Sequence, residues 1–195
     1  MQPSDEPSVI TTLARAFHDD PLFNFLVPDL LSQGRANLTF MHSLVADARG
    51  FGEIWVAKAG TKVAGAAVWL PPGAYPRGAR RETLGVLRDL RSVPRLGSRL
   101  FVSIRLQNEI QRAHHRVKEP HWYLSLLGAD PAFQRSGAGT ALLAPILERA
   151  DAEGMPVYLE TQKEENVPWY HRFGFEVVEE LKVSGAPSMW AMRRR

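Results

Sequence analysis

The stretch HWYLSLLGADPAFQRSGAGTALLAPILERA, His121 to Ala150, decides how the chain folds. HWYLSLLGA reads as a strand, ADPAFQRSG as a loop, and GTALLAPILERADAEG as a helix with Leu142, Leu143, Ile146, Leu147 and Ala150 on its buried side. A strand, a glycine-bearing turn and a helix N-terminus together make an anion site, because free backbone N–H groups point outward and the helix dipole adds positive potential. Pro145 lacks an N–H and crowds the preceding turn, so a kink or an early end is expected there.

Working outward, 195 residues with 45% hydrophobic and 23% charged content describe an ordinary globular chain that can bury a full core. No apolar run approaches the roughly 20 residues of a membrane span. The N-terminus MQPSDEPSVI is unlike a signal peptide, which suggests a cytoplasmic protein without a membrane partner. The sequence has no cysteine, which excludes disulfides, thiolate metal sites and a cysteine nucleophile. The net charge of +3 hides a segregation. Residues 1–76 sum to −2 (5 basic, 7 acidic), residues 77–118 to +8 (11 basic, 3 acidic) and residues 119–195 to −3 (8 basic, 11 acidic). The basic block carries only Phe101 for stacking and repeats Arg at helical spacing, so it reads as a solvated helix face and nucleic acid is not the expected partner.

Elsewhere VITTLARAFHDDP reads as an amphipathic helix stopping before Pro21, and Ser32 to Arg49 as a second with Leu38, Met41, Leu44 and Val45 on its apolar face. GEIWVAKAGTKVAGAAVWL reads as a β-hairpin turning at Lys-Ala-Gly-Thr. PPGAYPRG is a loop, and residues 80–117 read as mainly helical with a break near Pro94–Gly97. PVYLETQ, FEVVEELKV and SMWAMRR are strands, and VPWYHRFG is a short helix ended by Gly174.

A Walker-type loop requires a Gly-Lys-Ser/Thr ending, which is missing here. A dinucleotide-binding turn requires glycines directly after the strand, whereas Asp130 to Ser136 intervene and no further βαβ repeat follows. The third alternative is a coenzyme A pyrophosphate loop. Gln134-Arg135-Ser136-Gly137-Ala138-Gly139 between strand and helix resembles the Q/R-x-x-G-x-G/A motif of the GCN5-related N-acetyltransferases, and ENVPWYHRFGF (Glu165 to Phe175) is similar to that family's second signature. KEPHWYLSLLGADPAFQRSGAGTALLAPILERA and VYLETQKEENVPWYHRFGF further resemble the puromycin N-acetyltransferase branch, loosely so before residue 110.

The resemblance implies an α/β fold with a mixed, mostly antiparallel, twisted sheet flanked by helices and split between the strands starting at His121 and Pro156. It implies one N-acetyltransferase domain over residues 1–195, with 1–118 on the acceptor side and 119–195 as the acetyl-CoA core. Acetyl-CoA is then the co-substrate and a small-molecule amine the partner, with antibiotic modification one reaction of this kind. Leu127, Gly128 and Ala129 would pair with the pantetheine arm and acetyl carbonyl, Gln134 to Thr140 would cradle the pyrophosphate, and Asn166 would bond the pantetheine. Tyr170, four residues after Asn166 and so on one helix face with it, would be the general acid.

Strand parity places His121, Tyr123, Ser125 and Leu127 on one face, with no carboxylate beside Leu127. Candidates for the general base are Glu160, His121 and, behind them, Asp19, Asp20 and Glu109, with an ordered-water relay as a further alternative. Asp19, Asp20, Phe23, Trp55, Trp69 and Tyr75 are candidates for the acceptor pocket, with Tyr123 and Ser125 from the strand. His114-His115 reads as solvated, and without a third ligand no metal site is expected. Acetylation of a protein amine and a non-catalytic acyl-CoA sensor stay open as alternatives, and a monomer or a homodimer would both fit.

Overall fold

The computed structural model describes residues 1–75 and 99–195, so the break expected near Pro94–Gly97 lies outside the described residues. Among the described residues, six strands form one sheet in the order β1-β2-β3-β4-β6-β5. They are β1 (Glu53–Ala59), β2 (Lys62–Leu70), β3 (Trp122–Ala129), β4 (Val157–Thr161), β5 (Glu176–Leu181) and β6 (Met189–Arg194). Only the β3–β4 pair is parallel, as a strand–helix–strand crossover requires, and the other four pairs are antiparallel. Numbered over the described residues, the helices are α1 (Glu6–Ala16), α2 (Pro21–Leu26), α3 (Leu30–Phe51), α4 (Leu100–Arg116), α5 (Ala138–Glu153) and α6 (Val167–His171). None of the described helices is long and apolar enough to cross a membrane.

The first helix ends at Ala16, before the expected boundary, because Asp20 starts a second one. Its carboxylate accepts from the backbone N–H groups of Leu22 and Phe23 at 2.9 and 3.3 Å, and Pro21 fills the first position of α2. In α3, Met41 and Val45 are buried as the spacing predicts and Leu44 is half-buried, but Leu38 is 42% exposed. The buried ridge continues back through Asn37 and Gln33 instead, whose amides donate to the carbonyls of Phe17 and His18 at 3.4 and 3.0 Å. Polar residues thus occupy core positions that an apolar count passes over. The hairpin turns as expected, with Gly60 at φ 61°.

One sheet face packs on α5 and α6 through Trp69, Trp122, Leu124, Leu142, Leu143, Ile146 and Leu159. The opposite face packs on α1 and α3 through Val9, Leu13, Met41, Val45, Val68 and Leu126. Leu124 and Leu126 therefore lie on opposite faces although they are two apart. The register explains this: Trp69 pairs with Leu124 and Val68 with Leu126, so Ser125 is an extra residue, a β-bulge. Beyond it the single-face assignment from sequence is corrected, since Leu127 packs on the α5 side. Helix α5 runs unbroken through Pro145, with all five expected apolar residues buried.

A third cluster, Leu106 and Ala113 of α4 with Leu181, Val183 and Met189, closes the far end of the sheet, with Leu22 of α2 packed against it.

Candidate active site

Strands β3 and β4 pair only at Trp122–Val157, Tyr123–Tyr158 and Leu124–Leu159. After that β3 continues against β2 as far as Ala129, and β4 continues against β6 as far as Thr161. The two strands therefore part at the bulge, and β3 stops pairing on its β4 side from Ser125 onward. A cavity of about 230 Å³ opens there. Leu124 to Leu127 form its floor, with Glu160, Thr161 and Gln162 on the β4 side and Asn166 and Tyr170 beyond. Phe17, Asp20, Leu22 and Phe23 wall it from the N-terminal helices, Tyr75 from the segment after β2, and Gln107 and Ile110 from α4.

Of the candidate acceptor residues, Asp20, Phe23, Tyr75, Tyr123 and Ser125 line this cavity, and Asp19, Trp55 and Trp69 do not. Asp19 is exposed. Trp55 lies on the outer strand β1, its indole donating to Glu53 at 3.1 Å. Trp69 is fully buried under α5, donating to the Leu142 carbonyl at 3.3 Å. Two indoles adjacent to the hairpin are thus spent on an edge and on the core. His121 lies behind the lining and Glu109 on the surface, bonded to Arg112 and Arg116.

The anion loop follows β3. Asp130 accepts from the Ala132 N–H at 2.9 Å and opens a short 3-10 turn, Pro131–Phe133. Arg135 at φ 62° and Gly137 at φ 88° then turn the chain into α5. No side chain caps this helix, and its first intrahelical bond is donated by Ala141. The N–H groups of Ala138, Gly139 and Thr140 are consequently the uncapped donors of a 16-residue helix, facing the exposed run Gln134 to Gly137. Gly139 lies close against Trp169, since a Cβ there would meet the indole ring at 3.1 Å and press it outward by a few tenths of an ångström.

Asn166 precedes α6 and donates to the Thr161 hydroxyl at 3.2 Å. Tyr170, on α6, is 7% exposed, and burial pushes its hydroxyl pKa well above the ordinary phenol value. Pro168 at the second helical position and Gly174 at φ 80° fix where α6 begins and where the chain leaves it.

The Glu160 side chain is 3% exposed, and its Oε1 has no hydrogen-bond partner. Behind it lies a cluster that the sequence reading missed. Of the His114-His115 pair that reads as solvated, His115 is exposed but His114 is only 2% exposed. Its ring packs against Tyr75, His121, Tyr123 and Tyr158 with centroids 4.5 to 4.8 Å apart. The signal was present: Leu106, Ile110 and His114 recur every four residues along α4, and the first two are apolar. Burial raises the Tyr123 and Tyr158 pKa values, helped by the Glu160 carboxylate beside both. Among the described residues, no group of three His, Cys, Asp or Glu side chains is arranged to hold a metal ion.

Comparisons with known proteins agree with this arrangement. The model of the acetyltransferase (GNAT) family matches residues 17–175. A protein of Schizosaccharomyces pombe named uncharacterized N-acetyltransferase C550.08 is 41% identical over 54 residues, 28% of this chain, and the match spans only 22% of that relative's length. A crystal structure from Corynebacterium glutamicum, described as histone acetyltransferase HPA2 and related acetyltransferase, superposes with a TM-score of 0.69 at 18% identity, covering 100% of this chain and 92% of the other. The polyamine N-acetyltransferase of Drosophila melanogaster gives 0.64 at 13% identity, covering 99% and 96%. With a parted parallel pair, an uncapped glycine loop and a family match over most of its length, the chain belongs to the acetyltransferase (GNAT) family.

Proposed function

We propose that the chain transfers the acetyl group of acetyl-CoA to the primary amine of a small cationic molecule with an apolar body, by direct attack in a ternary complex. The observation that carries this reading is one cavity, at the point where β3 and β4 part, lined by both a buried carboxylate, Glu160, and a buried phenol, Tyr170. Acetyl-CoA would lie along the freed edge of β3, from Leu127 to Ala129, with its pyrophosphate on the N–H groups of Gln134 to Thr140 and its pantetheine against Asn166. The Leu127 N–H would hold the oxyanion, a fixed dipole of the kind that contributes most in acyl transfer.

Glu160 would take a proton from the ammonium, and the neutral nitrogen would then attack the thioester carbonyl. Tyr170 would protonate the departing thiolate; burial keeps its phenol protonated at working pH and raises the thiolate's proton affinity in the same site. With no cysteine, the chain lacks the best acyl-carrier nucleophile, in keeping with direct attack.

Residues 1–118 would form the acceptor side and 119–195 the acetyl-CoA side of one catalytic domain. Phe17, Phe23 and Tyr75 with the carboxylates of Asp20 and Glu160 make a wall suited to a cationic, apolar amine. The Drosophila neighbour's polyamine substrate is an amine of that cationic kind. A cavity of about 230 Å³ favours a small acceptor over a peptide. The test is to incubate the protein with acetyl-CoA and a panel of polyamines, arylalkylamines, amine antibiotics including puromycin, and peptides, following free thiol. Thiol release with one small-amine class is expected. Release with peptides alone, or acetyl-CoA binding without release, would replace this reading by protein acetylation or by a sensor.

A further inference from the structure

The hydrogen bonds around His114 fix where its proton sits. His121 Nδ1 is 2.7 Å from the backbone carbonyl of Glu119, and a carbonyl only accepts, so Nδ1 carries hydrogen. Burial lowers the His121 pKa and keeps that ring neutral, leaving its Nε2 bare. His114 Nε2 is 2.8 Å from that bare nitrogen and so must donate to it. A neutral His114 then turns a bare Nδ1 toward Glu160 Oε1, 4.0 Å away. Both atoms are buried and neither has a hydrogen-bond partner. Two lone pairs facing each other repel until a proton lies between them. One proton would make the contact attractive and draw it to hydrogen-bond length.

We infer that His114, held in a single tautomer by His121, is the proton acceptor behind Glu160. The inference rests on the proposed acetyl transfer and completes its proton balance. An ammonium and acetyl-CoA give an amide, CoASH and one free proton. The nitrogen therefore loses two protons, one to the thiolate through Tyr170 and one that must leave the cavity. That second proton passes from nitrogen to the Glu160 carboxylate, its N–H bond pair remaining on nitrogen for the attack. It then moves to His114 Nδ1, restoring the carboxylate and leaving an imidazolium beside it. The imidazolium loses the proton to solvent when the site opens for product release. The groups around this pair are the Tyr75 ring, the Tyr123 and Tyr158 side chains, the His121 ring and, from β6, the Arg193 guanidinium. His114 acts through Glu160 and does not line the cavity.

The experiment has two readouts. Ring-nitrogen NMR shifts of the free protein, labelled with 15N-histidine, are expected to show His114 with Nε2 protonated and Nδ1 bare. Hydrogen on Nδ1 in the resting protein would overturn the inference. In His114→Gln, kcat is expected to fall at least about tenfold at neutral pH, as for loss of a general-base partner. The acetyl-CoA KM should stay within about twofold, and the loss should shrink above the pKa of the amine, where it arrives neutral. A pH–rate profile superimposable on that of the wild type would overturn the inference as well. Should no amine release thiol from the wild type, the proposed acetyl transfer falls. The ring-nitrogen signature, read without substrate, still upholds or overturns the His114–Glu160 proton pair.

Discussion

Val68 of β2 pairs with Leu126 of β3 while the next residue, Trp69, pairs with Leu124. Ser125 is left without an opposite number, and the strand turns its faces over at that residue. This one insertion lets Leu124 pack under α5, Leu126 pack on α1 and α3, and the floor of the cavity pass between them. Deleting Ser125 would restore a regular ladder and leave Leu124, Leu126 and Leu127 on the faces they now occupy. The unfolding midpoint in urea should therefore change little. The kink at which β3 parts from β4 would be lost, so thiol release should fall sharply. Thiol release equal to that of the wild type would show that the bulge is dispensable.

Two loop residues separate backbone strain from ligand binding. Gly137 at φ 88° has open space where a Cβ would be, so Gly137→Ala tests backbone conformation alone. Left-handed backbone costs an L-residue about 1–2 kcal/mol, and that loss should be seen in thermal unfolding. Arg135 already bears such a cost at φ 62°. Arg135→Gly should raise Tm by a few degrees and, if the loop holds the pyrophosphate as proposed, at the same time raise the acetyl-CoA KM through the lost charge. Opposite signs in the two measurements are the diagnostic; a lower Tm would mean the Arg135 side chain holds the loop together.

The secondary structure was legible because it depends on short-range pattern: alternation in β2, the apolar stripe of α5, Gly174 after α6. The partition of functional side chains was less so. Trp69 and Trp55 have equal claim to a pocket by composition, and only the register of β2 against β3 sends one under α5. The bulge at Ser125 has no local signature, since no glycine or proline marks it, and missing it assigned Leu127 to the wrong face. His114 was misplaced for a different reason. Its sequence neighbours are charged, whereas its surroundings come from Tyr75, His121, Tyr123 and Tyr158, none of which lies on its own helix.

Acid stability should depend on His121. Desolvation lowers its pKa below the ordinary value, against the opposing pull of the Glu119 carbonyl. The unfolded chain then binds more protons than the folded one just below about pH 6.5. The stabilisation is present above that pH and is lost as pH falls through the folded-state value. Replacing His121 with Gln, which cannot titrate, should flatten the unfolding free energy between about pH 6.5 and 5. An equally steep acid limb in the variant would place the dependence on another group.

Asp20 should behave in the opposite sense. Burial raises its pKa, against the N–H groups of Phe23 and Leu22 that favour the carboxylate. Between its ordinary value near 3.9 and the raised one, the folded state binds more protons, so stability falls as pH rises through that window. Asp20→Asn keeps an oxygen acceptor for both N–H groups and removes the charge. It should raise the unfolding midpoint at pH 7, with the difference vanishing near pH 3. Asp20→Ala loses the cap and should cost about 1 kcal/mol. If the carboxylate also meets the substrate cation, Asp20→Asn will raise the amine KM and leave the acetyl-CoA KM alone.

The hydroxyl of Tyr170 is separable from its ring. The ring packs edge-on to Trp169 and Phe175 at 4.9 and 5.8 Å, so Tyr170→Phe keeps the packing while removing the only proton the residue can give. Because burial raises the phenol's pKa, the wild type should show no loss of kcat on the alkaline side up to about pH 10 from this group. Tyr170→Phe should lower kcat by about 10²-fold or more and change acetyl-CoA affinity by less than about twofold, the pattern of a group acting in the transition state. Thioesters whose thiolates leave more readily need less help from an acid. The variant should therefore recover activity with an acetyl donor of lower thiol pKa, and a loss that ignores the leaving group would assign Tyr170 to packing instead.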